Sequence, residues 1–143
     1  MDVADDRLML SIPSNPRYLC TLRAFCSSLL EALGFHQTET DRVILAVHEA
    51  CTNVIEHGYA GDMTQRIDVT VLVTAEDITI EIRDYGKKQD VEAIRPRALH
   101  DVRPRGLGTH FMRSIMDDVT YNSSDAGTLV RMTKRRSMPC KSP

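Results

Sequence analysis

Tryptophan is absent from the 143 residues, and aromatic residues of all kinds make up only 5%. A chain so poor in rings offers no platform on which the bases of single-stranded nucleic acid could stack. Charge of one sign is not in excess either. Lys and Arg number 18 against 20 Asp and Glu, a net charge of −2, which argues against nucleic acid as the main partner. The four cysteines, Cys20, Cys26, Cys51 and Cys140, form no C-x-x-C pair and no metal-ligand spacing, so they read as free thiols in a reducing cytosol. No apolar run approaches the ~20 residues of a membrane span. The acidic start MDVADDRLML fits neither a signal peptide nor a transit peptide. These absences leave a cytoplasmic chain with no direct nucleic-acid contact and no membrane contact.

What is present is an ordinary globular mixture, 42% hydrophobic and 27% charged, at a length that suits one domain and buries roughly 70% of its unfolded surface. Leu8 to Ile12 is a short strand, closed by Pro13 and Pro16. From Arg17 to Leu33 the apolar residues recur at helical steps, and Gly34 follows as a stop. Thr38 or Thr40 then caps a second helix from about Asp41 to Glu56, with Gly58 after its end. The period changes in the centre. Ile67, Val69, Val71 and Val73 alternate with polar residues, as do Ile78, Ile80 and Ile82, and Ala75-Glu76-Asp77 joins the two runs as a hairpin. Asp84 to Gly106 is a polar, Arg- and Pro-containing loop of roughly 20 residues, a length usually reserved for function. A third helix runs from Gly106 to about Met116, and Val119–Asn122 with Thr128–Met132 forms a closing hairpin. This order predicts an α+β fold: a two-layer sandwich with a mixed, mostly antiparallel sheet and the helices on one face. The folded core spans about 7–134, and residues 135–143 read as a basic, flexible tail.

Three groups of residues could carry chemistry. On the second helix Val43, Ile44, Val47, Cys51, Val54 and Ile55 share one face, and Glu49, Asn53, Glu56 and His57 share another. For a generic helix the second face is simply solvated. Asn, however, is a poor interior helix former, and a carboxylate one turn before an amide sets a proton acceptor beside oxygen ligands suited to Mg²⁺ on nucleotide phosphates. Asp84-Tyr85-Gly86 ends the hairpin and is either an ordinary turn or a carboxylate aimed into a cleft, where an adenine amino group is a natural donor. Arg105-Gly106-Leu107-Gly108-Thr109 is either an ordinary helix start or a place where backbone N–H groups approach a phosphate.

The order and spacing of these groups, E-x-x-x-N, D-x-G, G-L-G and then Gly127-Thr128, resembles the GHKL ATP-binding fold. The wording DRVILAVHEACTNVIEHGY, IRDYGKKQD, RGLGTHFMRSIMDDVTY and GTLVRMTKR is similar to the RsbW-like anti-sigma factor serine-protein kinases, over about Leu8 to Lys134. The resemblance implies one kinase domain over 1–143 that uses ATP and Mg²⁺. It makes Glu49 the general base, and Asn53 the residue that holds Mg²⁺ against the triphosphate. Asp84 becomes the reader of the adenine amino group, Gly86 its close-approach neighbour and Thr128 its hydroxyl support. Arg105, Gly106, Leu107, Gly108 and Thr109 become the phosphate-binding lid. It further implies a homodimer that binds a sigma factor and phosphorylates a STAS-domain anti-sigma antagonist on serine. One departure stands out: the second Gly of the D-x-G-x-G box is Lys88. It leaves open an alternative, a nucleotide-binding interaction regulator with little or no transfer. Lys87, Lys88, Arg95, Arg97, Arg103 and Arg105 make the loop basic, either as a solvated surface or as a screen for γ-phosphate charge.

Overall fold

The alternating centre of the chain builds a sheet, and the two helical periods cover one of its faces. The computed structural model describes residues 5–86 and 112–136. Strand β1 (Asp6–Pro13) is followed by helices α1 (Leu19–Ala32) and α2 (Gln37–Asn53), then by β2 (Arg66–Val73), β3 (Asp77–Arg83), β4 (Asp118–Ser124) and β5 (Gly127–Arg135). The strands lie in the order β1-β2-β3-β5-β4, and all four pairings are antiparallel. Of the expected third helix, residues 112–115 are helical, and its earlier part lies outside the described residues.

Side-chain alternation assigns the faces. Ile67, Val69 and Val71 of β2, Ile78, Ile80 and Ile82 of β3, and Val130 and Met132 of β5 are buried, together with Leu22 and Leu30 of α1 and Val43 and Val47 of α2. Each such aliphatic residue contributes roughly 1.5–3 kcal/mol of transfer free energy. The opposite sheet face is mainly polar, with Met9, Leu72 and Leu129 among its residues. There Thr79 meets Thr133 at 3.2 Å and Glu81 meets Arg131 at 3.7 Å, both as directly opposed cross-strand pairs.

Several helix ends differ from expectation: α1 starts at Leu19, behind a 3-10 turn over Pro16–Tyr18, and α2 ends at Asn53, short of Glu56. α1 closes as read: Gly34 adopts φ +87°, its N–H bonds Glu31 O, and the Phe35 N–H bonds Leu30 O, which together make a Schellman stop. α2, however, begins at Gln37, not Asp41, and neither threonine caps it. Its N-cap is His36, which gives no side-chain cap. The extended His36 leads straight from the Schellman turn into the helix, Thr40 N–H already bonds His36 O at 2.8 Å, and Thr40 is buried. The chain's last described residues are also more tied than a flexible tail implies. β5 runs through Arg135, and Arg136 bonds Glu76 O through its N–H and Thr74 O through Nη1. Residues 137–143, with Cys140, lie outside the described residues.

Among the described cysteines none is in a disulfide. Burial pushes the Cys26 thiol up to about 12 and raises Cys51 further, with Cys26 adding to the effect, so both stay protonated and inert. No helix among the described residues is long and apolar enough to cross a membrane.

The β4–β5 turn shows how tightly the end of the sheet is built. Gly127 has φ +125°, and a Cβ there would meet Asp84 O at 2.0 Å. Gly127→Ala therefore combines backbone strain with a backbone clash, and its expected cost exceeds ~2 kcal/mol. Gly34→Ala meets nothing within 4 Å and is expected to cost ~1–2 kcal/mol from its left-handed backbone alone. Urea denaturation midpoints of the two variants check the ranking.

Candidate functional site

The expected site gathers where α2, β3 and β5 end or begin. After Asn53 the α-helix widens into a π turn over Val54–Gly58, in which Tyr59 N–H bonds Val54 O at 3.0 Å. Such widening is rare and is often found at functional sites. It also divides the polar face predicted for this helix. Asn53 is buried, at 3% exposure, Glu49 and Glu56 are half-buried, and His57 is exposed. An amide inside the protein is not what a solvated face provides. Partial burial holds His57 below its usual pKa, which favours the neutral imidazole.

Asp84 follows the last residue of β3 and is fully buried, as is Thr128. The Asp84 N–H donates to Thr128 O at 3.0 Å, so the two residues stand opposite each other one step beyond the Arg83–Leu129 pair. Both positions alternate onto the helix-facing side of the sheet. The Asp84 Oδ1 accepts the Gly86 N–H at 3.0 Å, a turn-forming bond typical of Asp, and the Thr128 hydroxyl shares a 2.9 Å hydrogen bond with that of Ser123. Gly86 packs on the π turn: a Cβ there would lie 2.1 Å from Gly58 O and 3.0 Å from the Tyr59 ring. The sequence-predicted Asp84, Gly86 and Thr128 are thus brought together, and the π turn that follows α2 touches them through Gly58, five residues beyond Asn53.

Tyr59, which sequence reasoning passed over, binds this junction. Its hydroxyl donates to Arg66 O at 2.5 Å and accepts the Tyr85 N–H at 2.8 Å. Burial, with the negative charges of Asp84 and Asp68 nearby, raises its pKa although the Tyr85 N–H opposes the shift, so the proton needed for donation is retained. The only cue in the sequence is a tyrosine directly after the helix-ending Gly58. Tyr85 itself lies on the other face of the sheet, with guanidiniums at 4.8 Å (Arg66) and 5.3 Å (Arg83) from its ring centroid, and its hydroxyl donates to Asp68 Oδ2. Burial pulls the Asp68 carboxyl up, but hydrogen bonds from Tyr85 and Ser11 and the charge of Arg66 hold it below its usual range.

A cleft of about 450 Å³ runs beside the turn and is lined by His57, Tyr59, Tyr85, Gly86 and Asp125 among others. A larger one of about 590 Å³ lies at the start of α2, lined by His36, Arg42 and Lys134 among others, and none of the predicted site residues lines it. Among the described residues no group of three or more His, Cys, Asp or Glu could hold a metal by itself. A buried amide one turn after a carboxylate suits a cation whose remaining ligands are phosphate oxygens and water. The predicted lid residues Arg105, Gly106, Leu107, Gly108 and Thr109 lie outside the described residues. Because Gly86 has backbone against it, Gly86→Ala is expected to force the turn off Gly58 at a cost of about 1–3 kcal/mol, read as a lowered denaturation midpoint with an unchanged m-value.

The model of the histidine kinase-like ATPase domain matches residues 12–134. Serine-protein kinase RsbW of Bacillus pumilus is 30% identical over 94% of this chain and 88% of its own length. The proteins of the same name from Bacillus licheniformis and Bacillus subtilis are 29% and 27% identical, over 94% and 90% of this chain. Among solved structures, the RsbU and RsbW domains of a Mycobacterium tuberculosis protein superpose with a TM-score of 0.68 at 18% identity, over 91% of this chain and 32% of that one. The histidine kinase domain of a blue-light activated Erythrobacter litoralis kinase superposes with a TM-score of 0.54 at 15% identity. The chain spans about a third of the Mycobacterium protein, and at these identities both structures speak to the fold alone. Taken with the matched sequence, they place the chain in the histidine kinase-like ATPase domain family, in its RsbW-like group.

Proposed function

We propose that this protein is an ATP-dependent serine-protein kinase that doubles as an anti-sigma factor. It holds a sigma factor and phosphorylates a STAS-domain antagonist on serine, acting in the cytoplasm as a homodimer, without direct contact with nucleic acid or membrane. The observation that carries the ATP reading is the buried Asp84, set opposite buried Thr128 and followed by a glycine packed on the end of α2. A carboxylate held this way favours a base that brings a donor, because a base carbonyl in that place sets acceptor against acceptor.

In this reading Asp84 accepts the adenine amino group, the Thr128 hydroxyl supports it and Gly86 gives the base room. Asn53, with Glu49 one turn before it, would hold Mg²⁺, which when bound offsets phosphate charge. Glu49 takes the proton of the antagonist's serine hydroxyl as that oxygen bonds to the γ-phosphorus and the bond to the leaving ADP oxygen breaks. Residues 105–109, outside the described residues, match by resemblance the family's lid, whose part is to exclude water, the competing nucleophile. The RsbW relatives, named serine-protein kinases, support the transfer step. The Lys88 departure from the family box supports the second reading, a regulator that holds nucleotide without transferring phosphate.

Two variants test the site, and the wild type separates the readings. Asp84→Asn is expected to weaken Mg-ATP binding roughly 10- to 100-fold, measured by calorimetric or thermal-shift titration; unchanged affinity removes Asp84 from the site. Glu49→Ala is expected to keep ATP binding and to lower serine phosphorylation of a STAS-domain partner by roughly 10²- to 10⁴-fold. A wild-type chain that binds ATP but transfers nothing to such a partner selects the second reading.

A further inference from the structure

The β2–β3 ladder ends with the pair Asp68–Arg83. Two residues further on, the same register would set Arg66 opposite Tyr85, where the carbonyl of one and the N–H of the other could form the next rung. That rung is not made directly. The Tyr59 hydroxyl stands between the two groups, donating to Arg66 O and accepting from Tyr85 N–H. A hydroxyl can fill such a gap because it is donor and acceptor at once. It leaves neither backbone group unsatisfied while holding the strands one oxygen further apart. Between the two rungs lies Asp84, whose backbone N–H faces β5 and bonds Thr128 O there. The strand is therefore spread from β2 at the rung next to the buried carboxylate, while its bond to β5 is kept.

Tyr59 is well placed to hold this opening. It follows the π turn directly, the residue is 7% exposed, and its ring packs at the position a Gly86 Cβ would approach to 3.0 Å. Tyr85 cannot drift to close the gap, because its own side chain is drawn over the outer face by Arg66, Arg83 and Asp68. We infer that Tyr59 is a positioning residue for base recognition: its hydroxyl, inserted in the β2–β3 ladder, sets the direction in which Asp84 presents its carboxylate to the base. This inference rests on the ATP reading above and adds to it a determinant of base specificity supplied from the end of α2.

The test compares the wild type with Tyr59→Phe, which keeps the ring and removes only the hydroxyl. Two probes are titrated, ATP and inosine triphosphate, in which a carbonyl replaces the amino group that Asp84 is taken to read. Amide hydrogen exchange at Tyr85 is followed in parallel. The wild type is expected to prefer ATP, with Tyr85 protected. In Tyr59→Phe the preference is expected to fall roughly tenfold, by weaker ATP binding with little change for the inosine nucleotide, while Tyr85 exchange rises. If both nucleotides weaken equally, or only the melting temperature falls, Tyr59 is structural and the inference is overturned. A wild type that binds neither nucleotide overturns the ATP reading itself, a distinct result from a wild type that discriminates beside a variant that discriminates equally well. Should Tyr59→Phe fail to fold, 3-fluorotyrosine at position 59 keeps the hydroxyl but makes it a poorer acceptor and stronger donor. An unaltered nucleotide preference there, beside altered Tyr85 exchange, overturns the inference as well.

Discussion

Two places where backbone meets backbone with no side chain between them hold the rest of this structure in register. At one, the Gly58 carbonyl that ends the π turn lies where a Cβ of Gly86 would stand. At the other, the Asp84 carbonyl lies where a Cβ of Gly127 would stand. Together they join the end of α2, the end of β3 and the start of β5 in one junction. The spacing there is set by main-chain atoms, which do not rotate away as side chains do. Interiors packed to crystal-like density transmit displacements of this size without absorbing them. A candidate site built on such a junction inherits its precision from the fold.

The junction also explains why polar groups can be buried there. Asn53, Asp84 and Thr128 are nearly or fully inaccessible, and a buried polar group is costly unless it has partners. Asp84 is met by the Gly86 N–H through its side chain and by Thr128 through its backbone, and Thr128 is met by Ser123. Just past β1, at the same end of the sheet, buried Ser14 shows the same economy used for structure alone: its hydroxyl donates to Asp62 O and accepts the Gln65 N–H, which pins the loop before β2 to the β1–α1 connection. That hydroxyl has its protein partners on both sides. Asp84 differs in kind: a carboxylate is an acceptor group, whereas a hydroxyl serves as donor and acceptor alike.

Much of this was legible because two periods differ. Steps of two in Ile67–Val73 and Ile78–Ile82 mark strands whichever residues pair with them, and three- and four-residue steps in α1 mark a helix before its neighbours are known. Asp84, Gly86 and Thr128 were legible only as parts of a motif, since D-x-G alone is an ordinary turn. What was not legible depends on contacts distant in sequence. The start of α2 looked capped because Thr38 and Thr40 are good cap residues, yet the Schellman turn at Gly34 delivers the chain into the helix earlier, and Thr40 is drawn into the interior. The π turn carries no composition of its own. Tyr59 sits among apolar and glycine residues, where an aromatic reads as core; that its hydroxyl bridges Arg66 and Tyr85 follows from a sheet register that local sequence does not encode.

The same helix carries both the core and the candidate chemistry, and this constrains how the protein can change. Val43, Val47, Cys51 and Val54 pack into the layer beneath the sheet, while Glu49 and Asn53 fall between them in sequence. Any repacking that rotates α2 by even a fraction of a residue, about 100° per step, carries Asn53 and the Gly58 carbonyl with it. Volume-conserving swaps on the apolar face are tolerated in most cores, but here such a swap also moves the floor under Gly86. Residues 105–109, by contrast, lie in a long polar stretch of sequence that shares no apolar stripe with α2. The division is physical. The end of the site that would read a base is welded to the core through the Gly58 and Asp84 carbonyls.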